Sequence, residues 1–156
     1  MSKPKPIPDE YPRVTPYLHV QGAAEAIEFY KTVLGAGERG RMAGRDGTGV
    51  GHAELEIGDS MIMLSDEAPE MDAYAPGHFG GTPVSLHVYV EDVDAVFAAA
   101  LAAGAKSLSE VTDQFYGDRS GTFEDPWGHK WHVSSHIEDV LPEEMERRAA
   151  AQAQQG

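Results

Sequence analysis

An internal repeat at a spacing of 70 residues constrains this 156-residue chain more than any other feature of its sequence. The shift pairs Ile27 with Phe97 inside two amphipathic segments, and it pairs Glu54 with Glu124 inside two alternating segments. A helix and a hairpin that share one offset indicate two copies of a single structural unit. Each copy shows the pattern of a strand, a helix and three further strands, which predicts an α+β fold of two βαβββ modules.

Changes in proline and glycine content along the chain indicate where its segments begin and end. Prolines at four of the first twelve positions favour an extended arm, and Gly and Pro are frequent between the two copies. The prediction therefore divides the chain into a flexible Pro-rich arm at 1–13, a first βαβββ module at 14–66, a linker at 67–82, a second βαβββ module at 83–140, and a C-terminal helix and tail at 141–156.

Two helices are the clearest local predictions. Apolar residues recur at helical spacing over residues 23–34, and Gly35 follows as a C-terminal stop. Asp92 is placed to cap the second helix. Strands are predicted at 14–20 and 84–90, and residues 113–121 are predicted to form a loop that serves as a lid.

Charge and residue content narrow the functional classes. Twelve Lys and Arg residues stand against 26 Asp and Glu residues, which gives a formal net charge of −14 and disfavours nucleic acid as a partner. The same balance suits solubility and would attract a cationic ligand. The chain has no cysteine, no membrane-length apolar run and no signal-peptide pattern, so a cytoplasmic protein that contacts no membrane is expected.

Several segments resemble the vicinal oxygen chelate superfamily, which includes glyoxalase I, bleomycin-resistance and fosfomycin-resistance proteins and extradiol dioxygenases. They are EFYKTVLGA after the first strand and EDPWGHKW at the end of the second copy. GHAELEIGDSMIMLSDE and GDRSGTFEDPWGHKWHVSSHIEDV are similar to the PhnB-like branch. The resemblance covers about residues 14–140. It implies two modules that form a curved mixed sheet around a central cavity, and it implies a homodimer.

The resemblance also implies where a metal would bind. Metal enzymes of this superfamily place ligands on the first and last strands of each module, and the corresponding positions here are Thr15, Ser85, His132, and Ile62 or Met63. Only His132 is a good ligand for Zn, Ni or Fe. We therefore expect no cofactor and no metal site of the usual kind. A displaced divalent-metal site of His19, His87 and His132, with Glu54 as a fourth ligand, is the alternative.

Strand alternation predicts the candidate catalytic residues. Side chains two positions apart share a face, so Tyr17 and His19 accompany Thr15, and His87 and Tyr89 accompany Ser85. With His132, three histidines would then be available for acid–base chemistry near neutral pH. A hydrogen-bonded structural role is the alternative for each histidine, and we favour that role for His52, His129 and His136.

Four residues other than these histidines are further candidates for binding a ligand. They are Glu54 on a half-polar strand, Met63 as an adaptable wall, and Tyr116 and Arg119 in the predicted lid. A solvated face for Glu54, core packing for Met63 and a structural Asp–Arg pair for Arg119 are the alternatives.

Two functions follow from these patterns. The first is a glyoxalase/bleomycin-resistance-like protein that binds a small molecule in the inter-module cavity without the usual metal site. The second is a lyase, isomerase or dioxygenase that uses a displaced metal or metal-free histidine catalysis. The sequence does not decide whether the protein is an enzyme.

Overall fold

The chain is described by a computed structural model that covers residues 2–155. It forms two compact units that divide between Thr82 and Pro83. The α+β class and the two-module architecture predicted from the repeat are confirmed. Met1 and Gly156, the outermost residues of the predicted arm and tail, lie outside the described residues.

The first unit contains one mixed four-stranded sheet with the strand order β1-β4-β3-β2. Its elements are β1 (Tyr17–Val20), α1 (Ala23–Leu34), β2 (Gly37–Met42), β3 (His52–Ile57), β4 (Ser60–Asp66), a 3₁₀ turn (Pro69–Met71) and α2 (Pro76–Phe79). Strands β1 and β4 are parallel, and the remaining pairs are antiparallel. The first strand begins later than the predicted residue 14, and Pro16, which has no N–H group, precedes it.

The second unit repeats this topology with the strand order β5-β8-β7-β6. Its elements are β5 (Ser85–Tyr89), α3 (Val93–Ala102), β6 (Lys106–Asp113), β7 (Asp118–Glu124), β8 (Lys130–His136) and α4 (Pro142–Gln155). The Asp92 carboxylate accepts a hydrogen bond from the Ala95 amide, so the predicted cap is confirmed.

Each sheet has one apolar face and one polar face. In the first unit the apolar stripe of α1, which includes Ile27 and Tyr30, is fully buried, as is Leu55 of β3. In the second unit Phe97 of α3 lies against Phe123 of β7 at 6.3 Å between ring centroids. Burial of each such side chain stabilises the fold by about 1.5–3 kcal/mol. Because the apolar faces make the two cores, the opposite faces carry the polar side chains.

The predicted constant offset of 70 is wrong beyond the first strand and helix. Tyr17 pairs with Met63 in β4, and the equivalent His87 pairs with His132 in β8, which makes the offset 69 in the last strands. Glu54 is opposite Met63, and Thr122 is opposite His132, so Glu54 corresponds to Thr122 rather than to Glu124. Paired Glu54 and Met63 are nine positions apart and paired Thr122 and His132 are ten apart, so the connection before β8 has one additional residue, which changes the offset from 68 to 69.

The lid predicted at 113–121 is also wrong for most of its length. Strand β6 continues to Asp113 and β7 begins at Asp118, which leaves a connection of four residues. Asp118 and Arg119 are polar neighbours on opposite faces of β7, so this part of the strand lacks the alternation by which strands are recognised.

The linker and the C-terminal segment contain more helix than predicted. The linker at 67–82 includes the 3₁₀ turn and α2, which has Pro76 at its start. In the segment predicted as a C-terminal helix and tail at 141–156, helix α4 begins at Pro142 and continues to Gln155. No helix in residues 2–155 has both the length and the apolar character to cross a membrane.

Candidate functional site

The polar face of the first unit holds a chain of hydrogen bonds. The Tyr17 hydroxyl lies 2.9 Å from Nδ1 of His52, and Nε2 of His52 lies 3.0 Å from Oε2 of Glu54. The pairing register places these residues on three adjacent strands, because Met63 of β4 is opposite both Tyr17 and Glu54. Met63 therefore lies between Tyr17 and Glu54 on this face, and its ligand-binding role remains a prediction.

Tyr11 of the N-terminal arm adds a further hydrogen bond to this chain. Its hydroxyl donates to the Glu54 carboxylate at 3.0 and 3.2 Å, and the Arg39 guanidinium lies 5.0 Å from the centre of its ring. The pKa of Glu54 is lowered, mainly by the His52 hydrogen bond and also by the Tyr11 bond, although burial opposes the shift. Glu54 is therefore an ionised carboxylate at neutral pH.

His19 lies beside this chain on the same face. Its Nδ1 is 3.0 Å from the Ser65 hydroxyl, and its ring centroid is 5.1 Å from that of Tyr17. Both rings line a cleft of about 750 Å³ within the first unit. The other walls of the cleft come from the β2–β3 loop, residues 44–51, and from residues 65–73.

The cleft wall is held in place by Asp66 at the end of β4. Its Oδ1 accepts from the Gly22 and Ala23 amides at the start of α1, at 3.0 and 2.7 Å. Its Oδ2 accepts from the Val50 amide of the β2–β3 loop at 2.7 Å. One carboxylate thus caps the helix and fixes the loop, in agreement with the favourable position of an anion at a helix N-terminus.

The second unit brings together the other two predicted catalytic histidines. His87 and His132 are opposite each other on β5 and β8, and their rings meet edge to face at 4.8 Å. His87 Nε2 lies 2.9 Å from the Ser134 hydroxyl, and His132 Nδ1 lies 2.8 Å from the Thr122 hydroxyl. The pKa of His132 is lowered, first by burial and then by the nearby His87. His132 is therefore neutral at pH 7.

A second hydrogen-bonded chain lies on the same face of this unit. The Tyr89 hydroxyl donates to buried Asp118 at 2.8 Å, Asp118 pairs with Nδ1 of His136 at 2.8 Å, and Nε2 of His136 lies 2.8 Å from Asp139. Burial raises the pKa of Asp118, but the hydrogen bonds from His136 and Tyr89 outweigh it and the net shift is downward. The pKa values of Tyr89 and His136 are both raised, mainly by their hydrogen bonds to Asp118.

The donor set does not fit the usual metal of the superfamily. The four implied positions supply the hydroxyls of Thr15 and Ser85, the thioether of Met63 and the imidazole of His132. One imidazole among such weak donors is not a site for Zn, Ni or Fe. Within residues 2–155 no group of three or more His, Asp or Glu side chains is arranged to hold a metal ion.

The two ligand-binding residues predicted in the lid, Arg119 and Tyr116, lie in different settings. Arg119 is on the face of β7 opposite the one that carries the histidine partners. Arg119 pairs with Asp94 of α3 through two hydrogen bonds of 2.9 Å and with Asp113 at 2.8 Å. This is the Asp–Arg arrangement that was the structural alternative. Tyr116 lies in the β6–β7 connection, where its ring meets Phe115 edge to face at 5.3 Å.

Sequence reasoning missed three residues of these polar faces. His52 and Asp118 each join two side chains, and the buried Ser120 hydroxyl has no hydrogen-bond partner within residues 2–155. For His52 a signal existed, because it lies two residues from Glu54 on the same strand and so shares its face. Asp118 and Ser120 fall in the segment predicted as a loop, so strand alternation was not applied to them.

Comparison with known proteins shows which family and which proteins this chain resembles. A model of the Glyoxalase/Bleomycin resistance protein/Dioxygenase superfamily matches residues 13–133. The uncharacterised protein Rv0887c of Mycobacterium tuberculosis is 41% identical over 144 residues, which cover 90% of this chain and 84% of that protein. Its counterpart Mb0911c of Mycobacterium bovis has the same identity, with 90% and 94% covered.

Solved structures show the same fold. Protein PA1353 of Pseudomonas aeruginosa has a TM-score of 0.65 at 24% identity, covering 81% of this chain and 99% of that one. A PhnB protein of Bacillus cereus, described as a putative 3-demethylubiquinone-9 3-methyltransferase, has a TM-score of 0.63 at 20% identity, covering 80% and 99%. With two sheets of the same topology and a family match over residues 13–133, this chain belongs to the Glyoxalase/Bleomycin resistance protein/Dioxygenase superfamily.

Proposed function

We propose that this protein binds a small organic molecule in the cleft of its first unit, beside Tyr17 and His19, without the divalent metal of related enzymes. The cleft itself is the observation that carries the proposal. Its volume of about 750 Å³ lies within the range of about 300–1,000 Å³ that is usual for small-molecule sites. Aromatic rings and hydrogen-bonding groups line it together, as such sites require.

The charges around the cleft favour a cationic ligand. Five carboxylates line it, against the single guanidinium of Arg45. Two of the five, Glu70 and Asp72, lie on exposed positions of the linker. An acidic wall raises the local concentration of cations and repels anions, in line with the net charge of −14.

A second candidate function is metal-free acid–base catalysis in the second unit. The neutral His132 beside His87 favours it, because a neutral imidazole can accept a proton at pH 7. Such a site would serve the lyase or isomerase chemistry expected from the sequence. The homodimer and the cytoplasmic location expected from the sequence remain predictions.

A titration with organic cations tests the binding function. ¹H–¹⁵N spectra of the full chain would be recorded with a panel of small aromatic amines, acids and alcohols. Shifts centred on Tyr17, His19 and the β2–β3 loop are expected for at least one cation. Shifts confined to His87 and His132 would favour the second candidate, and a panel without any saturable shift would contradict binding in the cleft.

Metal analysis of untagged protein tests the metal-free part of the proposal. Metal far below one equivalent per chain is expected. Near-stoichiometric metal that disappears in a His87→Ala/His132→Ala double variant would overturn it, and would favour a displaced metal site.

A further inference from the structure

The hydrogen-bond roles along Tyr17, His52 and Glu54 can be assigned from the chemistry of the groups. An ionised carboxylate only accepts hydrogen bonds, so the contact of 3.0 Å between Glu54 and Nε2 of His52 requires the proton on Nε2. In the neutral imidazole Nδ1 is then an acceptor. Glu54 thereby selects the tautomer of His52, as a neighbouring carboxylate does for many functional histidines.

The tautomer of His52 determines what Tyr17 can offer. With Nδ1 as an acceptor, the Tyr17 hydroxyl must donate its only proton across the 2.9 Å contact. The phenolic oxygen retains lone pairs and has no further proton to give. Tyr17 is 41% exposed and its side chain lines the cleft, which brings the phenol within reach of a ligand bound there.

We propose that the Tyr17 oxygen, oriented by His52 and Glu54, is a hydrogen-bond acceptor for a protonated amine bound in the first-unit cleft. The ligand class is a primary or secondary ammonium attached to an apolar or aromatic body. This inference rests on the proposed binding function and specifies its ligand. His52 and Glu54 act through Tyr17 and are positioning residues.

Three neighbouring features complete the recognition of an ammonium group. The acidic side chains of the cleft wall supply the opposite charge. The rings of Tyr17 and His19, 5.1 Å apart, present aromatic surface, and a tyrosine face attracts cations. Ser65 holds the His19 ring through its 3.0 Å contact, so the two rings keep their relative orientation.

A matched set of three probes tests the ligand class. 2-Phenylethylamine, 2-phenylethanol and 3-phenylpropionate share one aromatic body and differ in the charge of the polar end. Titration of the full chain at pH 7.5 is expected to give at least about tenfold tighter binding of the amine than of the alcohol, since bonds to charged groups are the stronger ones. The carboxylate is expected to bind most weakly.

Variants connect this preference to the three side chains. Tyr17→Phe is expected to weaken amine binding about tenfold and alcohol binding by a smaller factor, because the ring remains, the acceptor is lost, and a neutral hydroxyl donates a weaker hydrogen bond than an ammonium. Glu54→Gln is expected to reduce the amine preference without a change at Tyr17. Tyr74→Phe is the control, since Tyr74 stacks on His78 at 3.8 Å, outside the residues that line the cleft.

The outcomes separate this inference from the proposed function. If the alcohol binds as tightly as the amine, or if Tyr17→Phe retains the amine preference, the acceptor role is overturned while binding in the cleft stands. If no probe shifts Tyr17 or His19, both fall. Independently of any ligand, ¹⁵N spectra of His52 are expected to show a protonated Nε2 and an unprotonated Nδ1, and the reverse tautomer would overturn the inference.

Discussion

The indole of Trp131 donates a hydrogen bond of 2.9 Å to the buried carboxylate of Asp125. The other oxygen of Asp125 accepts from the Trp127 and His129 amides, each at 3.0 Å. One buried anion therefore holds the turn before β8 and anchors the strand that carries His132. The last strand of the candidate site depends on this turn for its position.

Replacement of Asp125 is expected to be strongly destabilising. Asp125→Ala leaves two turn amides and a buried indole without their acceptor, at a cost of about 2–4 kcal/mol in the free energy of unfolding. Urea denaturation of the purified variant measures this. Asp59→Asn, in the exposed turn before β4, is the control and is expected to change stability by less than about 0.5 kcal/mol. Equal effects of the two changes would contradict the role of Asp125.

Loss of the Asp66 carboxylate is expected to loosen both the start of α1 and the β2–β3 loop. Asp66→Ala removes the acceptor of three backbone amides, with an expected cost of about 2 kcal/mol. Hydrogen exchange should accelerate at Ala23 and at Val50 together. Ser135 is the equivalent residue of the second unit, where it accepts from Val93 at 3.0 Å and donates to the Val90 carbonyl at 2.7 Å.

Ser135→Ala therefore provides the matched comparison. We expect it to cost about 1 kcal/mol and to affect exchange near the start of α3 alone. Faster exchange in the β2–β3 loop of this variant, or unchanged exchange at Val50 in Asp66→Ala, would show that the loop is held by other contacts.

His136 should make stability depend on pH in one direction. Its pKa is raised in the folded protein, mainly by the hydrogen bond to Asp118 and then by Asp139. The contribution of the charged imidazole is therefore complete below the unfolded pKa of about 6.5 and is lost as the pH rises through the higher folded value. His136→Gln should lower stability most below pH of about 6.5, with a difference that shrinks above it.

Unfolding of wild type and variant at several pH values measures this difference. A His136→Gln effect that grows as the pH rises would contradict the assignment.

The titration of His132 should respond to His87. Burial is the main cause of its lowered pKa, and the neighbouring His87 contributes further. His87→Asn should therefore raise the pKa of His132 toward its ordinary value without restoring it fully. Nuclear magnetic resonance titration of the His132 ring measures the change. An unaltered or lower pKa in the variant would show that the 4.8 Å ring contact has no electrostatic effect.

The most predictable parts of the fold were those with a periodic apolar stripe. Helix α1 has the predicted bounds and the half-polar strand predicted around Glu54 is β3, because packing against a core imposes periods of 3.6 and 2 on their sequences. The start of β7 was not predictable in this way. Its polar residues bond to side chains from distant strands and from α3, and such partners leave no local pattern.

Prediction of the candidate site from the sequence is limited in the same way, because only local patterns are visible there. Parity correctly places His19 beside Tyr17, and His87 beside Tyr89, since alternation is a local property of strands. A structural role is favoured for His52 from the sequence because it stands at the start of a strand. Its partner Tyr17 is 35 positions away, and the pairing of β4 with both β1 and β3 brings the two side chains together. The Asp94 pairing of Arg119 depends on the packing of α3 against β7, which the sequence does not specify.

The change of the repeat offset from 70 to 68 has a consequence for comparing the two halves. The halves share the same strand pairing, whereas the lengths of their connections differ. An alignment with a constant gap would equate Glu54 with Glu124, although pairing equates it with Thr122. Glu54 and Thr122 both bond a histidine, at 3.0 Å to His52 and at 2.8 Å to His132. Equivalent residues of the two halves are therefore identified by strand pairing and not by a fixed sequence offset. Residue roles should be compared between the halves in that register.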